Sequence, residues 1–208
     1  MPDFSHESRL EGPVIGIDEV GRGPWAGPVT VCAVCLAFDK NWIPNGIDDS
    51  KKLSERKRED LAKVLMVAPH FHHVISISAK NIDRLGVVRA TLLGMTSATR
   101  SLSNKLIKAG LSAPRHALVD GNLSPPDMPI PSTEIVRGDS ESISIAAASI
   151  IAKTVRDRIM RHYHSYYPGY GWNKNKGYGT KTHVAGLLEY GISEHHRRTF
   201  KPIKRYID

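Results

Sequence analysis

Three apolar runs in this chain of 208 residues end on carboxylates: VIGI meets Asp18 and Glu19, HALV meets Asp120, and EIV leads through Arg137 and Gly138 to Asp139. An isolated carboxylate at the end of a buried strand costs on the order of several kcal/mol in lost hydration unless positive charge meets it. Several such acids side by side repel one another and raise each other's pKa. A hard divalent cation relieves both problems, because Mg²⁺ takes oxygen ligands and keeps several waters for a substrate. One acid at a strand end is ordinarily a cap or turn residue. Four placed alike, with Arg22 and Arg137 the few bases in the short loops around them, favour a metal site over an ion-pair network. Such a site suits phosphodiester hydrolysis, in which one ion activates a water, a second stabilises the leaving 3′ oxygen, and both neutralise charge on the transferring phosphate.

These acids need strands to carry them and helices to cover the strands. Residues 14 to 20 and 29 to 38 read as two strands joined by the Gly/Pro turn GRGPWAGP, and FHHVISISA alternates well enough to be a third. HALVD and TEIVR read as two more, separated by the turn-rich NLSPPDMPIPS. The stretch SERKREDLAKVLMVA predicts a helix with Ser54 as N-cap, Glu55 in its first turn and Leu61, Val64 and Leu65 as its apolar face. A long helical stretch is expected from about residue 81 to 108, and another over SISIAAASIIAKTVRDRIMRHYHSYY, apolar at first and then basic. Past Pro168 the composition shifts to Gly, Tyr, Lys and Asn, a loop, before short helices at THVAGLLEYG and SEHHRRTF. Strands first paired by hairpin and later alternating with helices predict an α/β domain, a mixed sheet covered by helices.

The length suits one sizeable core, so a single domain over residues 1–208 is expected. Lys and Arg total 29 against 21 Asp and Glu, a net charge of +8 that favours polyanionic partners such as nucleic acid. The N-terminal MPDFSHESRLEGP has no apolar stretch of signal-peptide length, and no segment approaches the length of a membrane span, so the expected location is the cytoplasm. Cys32 and Cys35 have C-x-x-C spacing, yet they sit in the β-branched run VTVCAVCLAF. Their odd separation on a strand sends the thiols to opposite faces, which makes them buried hydrophobes rather than a redox or zinc pair.

The string GIDEVGRGPWAGPV, followed in order by DDSKKLS, LVDGN, GDSESISIAAASIIAKTVRDRIM, KGYGTKTH and HHRRTF, resembles the signature blocks of bacterial ribonuclease HII over about residues 13 to 202. The resemblance implies a ribonuclease H-like fold with a small helical C-terminal extension, here about residues 168 to 208, that helps hold substrate. It implies catalytic and metal-binding roles for Asp18, Glu19, Asp120 and Asp139, with Mg²⁺ or Mn²⁺ as cofactor and two ions when substrate is bound. The Gly21, Arg22 and Gly23 turn would approach the ribose of the scissile nucleotide. Glycines let backbone come close to a ligand, and contact with a 2′-hydroxyl separates RNA from DNA. Tyr178 would stack on the sugar of the adjoining deoxynucleotide, and Lys51 would contact phosphate.

The implied activity is hydrolysis of the RNA strand of RNA/DNA hybrids and incision 5′ to ribonucleotides embedded in duplex DNA, leaving 5′-phosphate and 3′-hydroxyl ends. The related ribonuclease HIII family typically has lysine between the two glycines and an extra N-terminal domain, so Arg22 argues for HII. A DNA-only nuclease of the same fold does not explain GRG together with KGY, and a non-catalytic relative would have lost an acid. The protein is expected to be a monomer, and no sliding-clamp motif is visible. Arg197 and Arg198 are expected at a basic helix end near nucleic acid, while His195 and His196, adjacent and therefore diverging, make a poor metal pair.

Overall fold

The computed structural model describes residues 1–37 and 39–207. Its strands are β1 (Val14–Val20), β2 (Val29–Cys35), β3 (Phe71–Ile77), β4 (His116–Asp120) and β5 (Ser132–Ile135), in one sheet of order β3-β2-β1-β4-β5. The helices are α1 (Glu55–Leu65), α2 (Ala79–Leu85), α3 (Val87–Lys108), α4 (Ile143–Tyr166), α5 (Trp172–Asn175), α6 (Lys181–Tyr190) and α7 (Lys201–Lys204). This is the expected α/β arrangement. No helix among the described residues is long and apolar enough to cross a membrane.

The chain divides into two compact units: Met1–Val20, Val31–Ile75 and Leu92–Thr154 form the first, and Gly21–Thr30, Ser76–Thr91 and Val155–Asp208 the second. In the first, β1 and β4 run parallel with Ile17 opposite Val119, and β4 runs parallel to β5 with Asp120 opposite Ile135. Asp18 and Asp120 each follow the Ile17 and Val119 pair by one residue. Side chains alternate along a strand, so the two acids share a sheet face with Gly16 and Leu118. Leu118, Ile135 and Ile145 of α4 form an apolar cluster in this unit.

Gly16 decides how closely α4 approaches. A Cβ there would run into the backbone of Ser144 and Ile145, which no side-chain rotation can relieve. From Ser144 to Ser149 the helix rises about 7.5 Å, and from Gly16 to Asp18 the strand rises about 6.7 Å. The contact at Gly16 therefore brings Ser149 level with Asp18. Gly16→Ala is expected to destabilise the protein by about 3 kcal/mol or more. A melting temperature within a degree of wild type would contradict that.

In the second unit the core is aromatic: Tyr170, Trp172, Met160, Leu187 and Ile203 are buried together, with Trp25, Tyr163 and Tyr167 packed on them. The Tyr170 and Trp172 rings stack at 4.8 Å between centroids.

Several elements differ from the sequence reading. β2 is observed to Cys35, and Phe38, the end of the expected strand, lies outside the described residues. Both cysteines are buried and free, with burial raising their pKa values. Ser54 caps α1 by accepting from the Lys57 amide, as expected, but Val64 is exposed rather than apolar face. The single helix expected over 81 to 108 is two, because Gly86 at φ 78° closes α2 against the Ile82 carbonyl. The last strand stops at Ile135, since Arg137 takes a left-handed conformation at φ 59° and turns the chain into the 3-10 helix Gly138–Ser140. SEHHRRTF forms no helix.

Candidate active site

The four acids belong to the first unit. Asp18 lies near the end of β1 and is buried, Glu19 beside it is half-buried, Asp120 is the last residue of β4, and Asp139 is buried in the 3-10 helix after β5. Burial, then the negative charges of Glu19 and Asp120, push the Asp18 pKa well above the ordinary carboxylate range. Its own Oδ1 accepts from the Glu19 amide at 2.7 Å, and a hydrogen bond with Ser149 works in the opposite direction. Burial and then Asp139 raise Asp120, whose Oδ1 accepts from the Gly138 amide at 2.7 Å. Lys51 Nζ donates to Asp139 Oδ2 at 3.2 Å. Burial lowers the Lys51 pKa, but Asp139, Asp49 and Asp18 outweigh it and the net shift is upward.

Lys51 also lowers Asp120, yet burial and the neighbouring acids outweigh it and the Asp18 and Asp120 shifts stay upward, so further positive charge would be favourable here. Among the described residues no three His, Cys, Asp or Glu side chains are gathered closely enough to enclose an ion by themselves. Carboxylate oxygens are the donors that a hard ion such as Mg²⁺ or Mn²⁺ takes, with water filling the positions that the protein does not.

The Gly-Arg-Gly turn and Tyr178 belong to the second unit and are neighbours there. A methyl group on Gly23 would touch the Tyr178 ring at 3.6 Å, and both residues are exposed. Gly21 has φ +93°, and a Cβ on it would collide with the Arg156 side chain, so both conformation and space demand glycine. The Gly177 carbonyl accepts from the amides of Trp25 at 2.8 Å and Ala26 at 3.3 Å, which pins the loop carrying Tyr178 to the limb that follows the turn.

Arg197 corrects the expectation of a basic helix end facing nucleic acid. It is fully buried, and its guanidinium donates to the carbonyls of Gly21, Arg22 and Gly27. Arg156, also buried, donates to the carbonyls of Ala26, Pro28 and Lys176. The Arg22 side chain, by contrast, is exposed. The adjacent histidines do diverge: His195 stacks on Tyr163 at 3.8 Å, while His196 Nε2 meets His183 Nε2 at 2.9 Å.

The proton positions in that histidine pair follow from their partners. Trp172 Nε1 can only donate, and it reaches His183 Nε2 at 3.2 Å, so that nitrogen is an acceptor. His183 Nδ1 then carries the proton and donates to the Tyr178 carbonyl at 2.9 Å. His196 donates through Nε2 and accepts through Nδ1 from the Ser193 amide at 2.9 Å. Both rings are neutral in this network. Burial, then His183, depress the His196 pKa from 6.5 to about 3.

A histidine depressed in the folded state leaves the unfolded chain binding the extra proton. Its contribution is complete above pH 6.5 and falls by about 1.4 kcal/mol for each pH unit below that, until the folded group titrates near 3. Denaturation profiles from pH 7 to 4.5 are expected to lose stability more steeply for wild type than for His196→Gln. Parallel profiles would contradict this.

Sequence reasoning missed Arg156, Arg197, His183 and Ser149. His183 and Arg197 stand inside KGYGTKTH and HHRRTF, blocks otherwise read for a tyrosine and for basic charge. Their signal was position within a motif, not residue type, since a buried arginine cannot be told from an exposed one without the fold.

Similarity to known proteins agrees with this architecture. A family model described as Ribonuclease HII matches residues 15–203. Ribonuclease HII of Jannaschia sp. (strain CCS1) is 48% identical over 210 residues, covering 99% of this chain and 98% of its own. That of Magnetococcus marinus is 44% identical, covering 92% of this chain and 86% of its own. Among solved structures, ribonuclease H2 from Pyrococcus horikoshii OT3 superposes with a TM-score of 0.77 at 23% identity, covering 94% of this chain and 97% of its own. Bst-RNase HIII in complex with Mn²⁺ gives a TM-score of 0.75 at 21% identity, covering 93% of this chain and 68% of its own. The two structures show the ribonuclease H-like fold, and nearly half-identity over almost the whole length does the rest: this chain belongs to the ribonuclease HII family, whose members are ribonuclease H endoribonucleases.

Proposed function

We propose that this chain hydrolyses the RNA strand of RNA/DNA hybrids and incises 5′ to ribonucleotides embedded in duplex DNA, leaving 5′-phosphate and 3′-hydroxyl ends. The observation that carries the reading is the placement of the acids: Asp18 near the end of β1 and Asp120 at the end of the parallel β4 share a sheet face, with Asp139, buried in the turn after β5, close enough to act on Asp120. Asp18, Glu19, Asp120 and Asp139 would hold divalent metal, Mg²⁺ or Mn²⁺. Bound metal would supply an activated water and neutralise charge on the phosphate and its leaving oxygen. The Mn²⁺ complex of Bst-RNase HIII supports a divalent ion in this fold.

Each residue has a part that its surroundings support. The Gly138 amide orients the Asp120 carboxylate, and Ser149 does the same for Asp18. The Lys51 side chain is 77% exposed, and its ammonium has three donors, enough to serve Asp139 and a phosphate oxygen together. Gly21, Arg22 and Gly23 would meet the ribose, and the exposed Tyr178 ring the adjoining sugar. The net charge of +8 supports an electrostatic component of binding. Affinity for a hybrid is expected to fall tenfold or more between about 50 and 200 mM salt, and indifference to salt would contradict that.

A hybrid labelled separately on each strand tests the proposal. The RNA strand alone should be cut, only with Mg²⁺ or Mn²⁺, giving 3′ ends that a DNA polymerase extends. Cleavage of the DNA strand, or cleavage undiminished by EDTA, would overturn it.

A further inference from the structure

We infer that Arg197 is the positioning residue for ribose selectivity: from inside the second unit it turns the carbonyls of Gly21 and Arg22 inward and thereby aims the amides of Arg22 and Gly23 outward. This rests on the reading of the Gly-Arg-Gly turn as the ribose contact.

The geometry is one of peptide planes. Arg197 Nη2 donates to the Gly21 carbonyl at 2.5 Å and Nη1 to the Arg22 carbonyl at 2.7 Å. In a trans peptide the carbonyl of one residue and the N–H of the next point in opposite directions. A Gly21 carbonyl directed at a buried guanidinium therefore sends the Arg22 N–H away from it, and the Arg22 carbonyl does the same for the Gly23 N–H. Two successive amides aimed the same way form a concave donor pair suited to an electron-rich oxygen. Arg22 and Gly23 are both exposed residues, which places the turn at the surface of this unit.

The rest of the surroundings hold Arg197 in place. Its Nε and Nη2 both donate to the Gly27 carbonyl, at 3.1 and 2.9 Å, and its own amide donates to the Trp25 carbonyl at 2.9 Å. The next two residues are anchored by Asp83, whose carboxylate accepts from the amides of Arg198 and Thr199, each at 2.9 Å. A flat, rigid fork reaching three carbonyls is a task for arginine. Lysine offers a point charge whose donors cannot span them.

Burying a guanidinium in this way is unfavourable by itself: desolvation, then the nearby Arg156, depress the Arg197 pKa to about 9. A residue needed only to fill the space would not have to carry a charge. The alignment of the turn is what the charge secures.

The test compares binding to two duplexes that differ by one 2′-hydroxyl, one all-DNA and one with a single ribonucleotide, with Ca²⁺ in place of Mg²⁺ to prevent cutting. For Arg197→Lys the preference for the ribonucleotide duplex should fall about tenfold or more while affinity for the all-DNA duplex is retained, because only the donors to the 2′ position are misaligned. An unchanged preference, or a parallel loss on both duplexes as from a general folding defect, would overturn the inference. If wild type itself shows no preference, the reading of the turn fails, which is a separate result. Should Arg197→Lys not fold, hydrogen exchange on the wild-type protein decides the point: the Arg22 and Gly23 amides must be slowed by the ribonucleotide duplex and not by its all-DNA twin. Equal slowing by both would overturn the inference.

Discussion

Asp120→Asn is expected to cut Mg²⁺-dependent cleavage by at least about a hundredfold while leaving the fold intact. The substitution keeps an oxygen that can accept from the Gly138 amide, so the local hydrogen bond survives. It removes a charge that Asp139 opposes and that itself raises Asp18, so repulsion within the site falls. Metal affinity falls with it, and losing even ~3 kcal/mol of transition-state charge stabilisation is worth about two orders of magnitude in rate. Thermal melting without metal should be equal to or above that of wild type. A well-folded Asp120→Asn enzyme with near-normal turnover would remove this residue from the catalytic set.

Tyr178→Ala should lower cleavage at a single embedded ribonucleotide by about ten- to a hundredfold, and cleavage within a continuous hybrid by less. Stacking contacts are worth roughly 1–3 kcal/mol, and a lone ribonucleotide offers one binding register whereas a hybrid offers many. The structure separates the ring from the backbone it hangs on. The Tyr178 amide donates to the Asn175 carbonyl at 2.9 Å and its carbonyl accepts from His183, while the side chain is 53% exposed. Truncation therefore removes the ring and leaves the loop. Matched steady-state assays on the two substrates check this, and equal losses on both, or none, would refute the assigned role.

What could be read in the sequence was what local pattern determines. The runs VIGIDEV and HALVD are short and apolar and carry acids at or near their ends, and they became the neighbouring strands β1 and β4. Ser54 announced α1 because capping is a local hydrogen bond. The failures were also physical. A helical pattern ran unbroken through Gly86 because periodicity does not register one positive φ. The SEHHRRTF stretch looked like a basic helix because charge pattern cannot show that Arg197 is consumed by backbone carbonyls belonging to residues some 170 positions earlier.

The same limit explains the site. The acids and the Gly-Arg-Gly turn could be named because the proposed chemistry calls for those residue types, and their motifs are dense. The residues that hold them could not be named. Ser149 meets Asp18 only because Gly16 admits α4, and His183 meets the Tyr178 carbonyl only because a tryptophan fixes its tautomer.

A DNA duplex with one ribonucleotide, incubated with Mg²⁺ beside its all-DNA twin, tests the central claim most directly. A single incision 5′ to the ribonucleotide, leaving a 3′-hydroxyl and lost in EDTA, is the expected result. Equal cutting of the all-DNA duplex, or incision that persists without divalent metal, would contradict it.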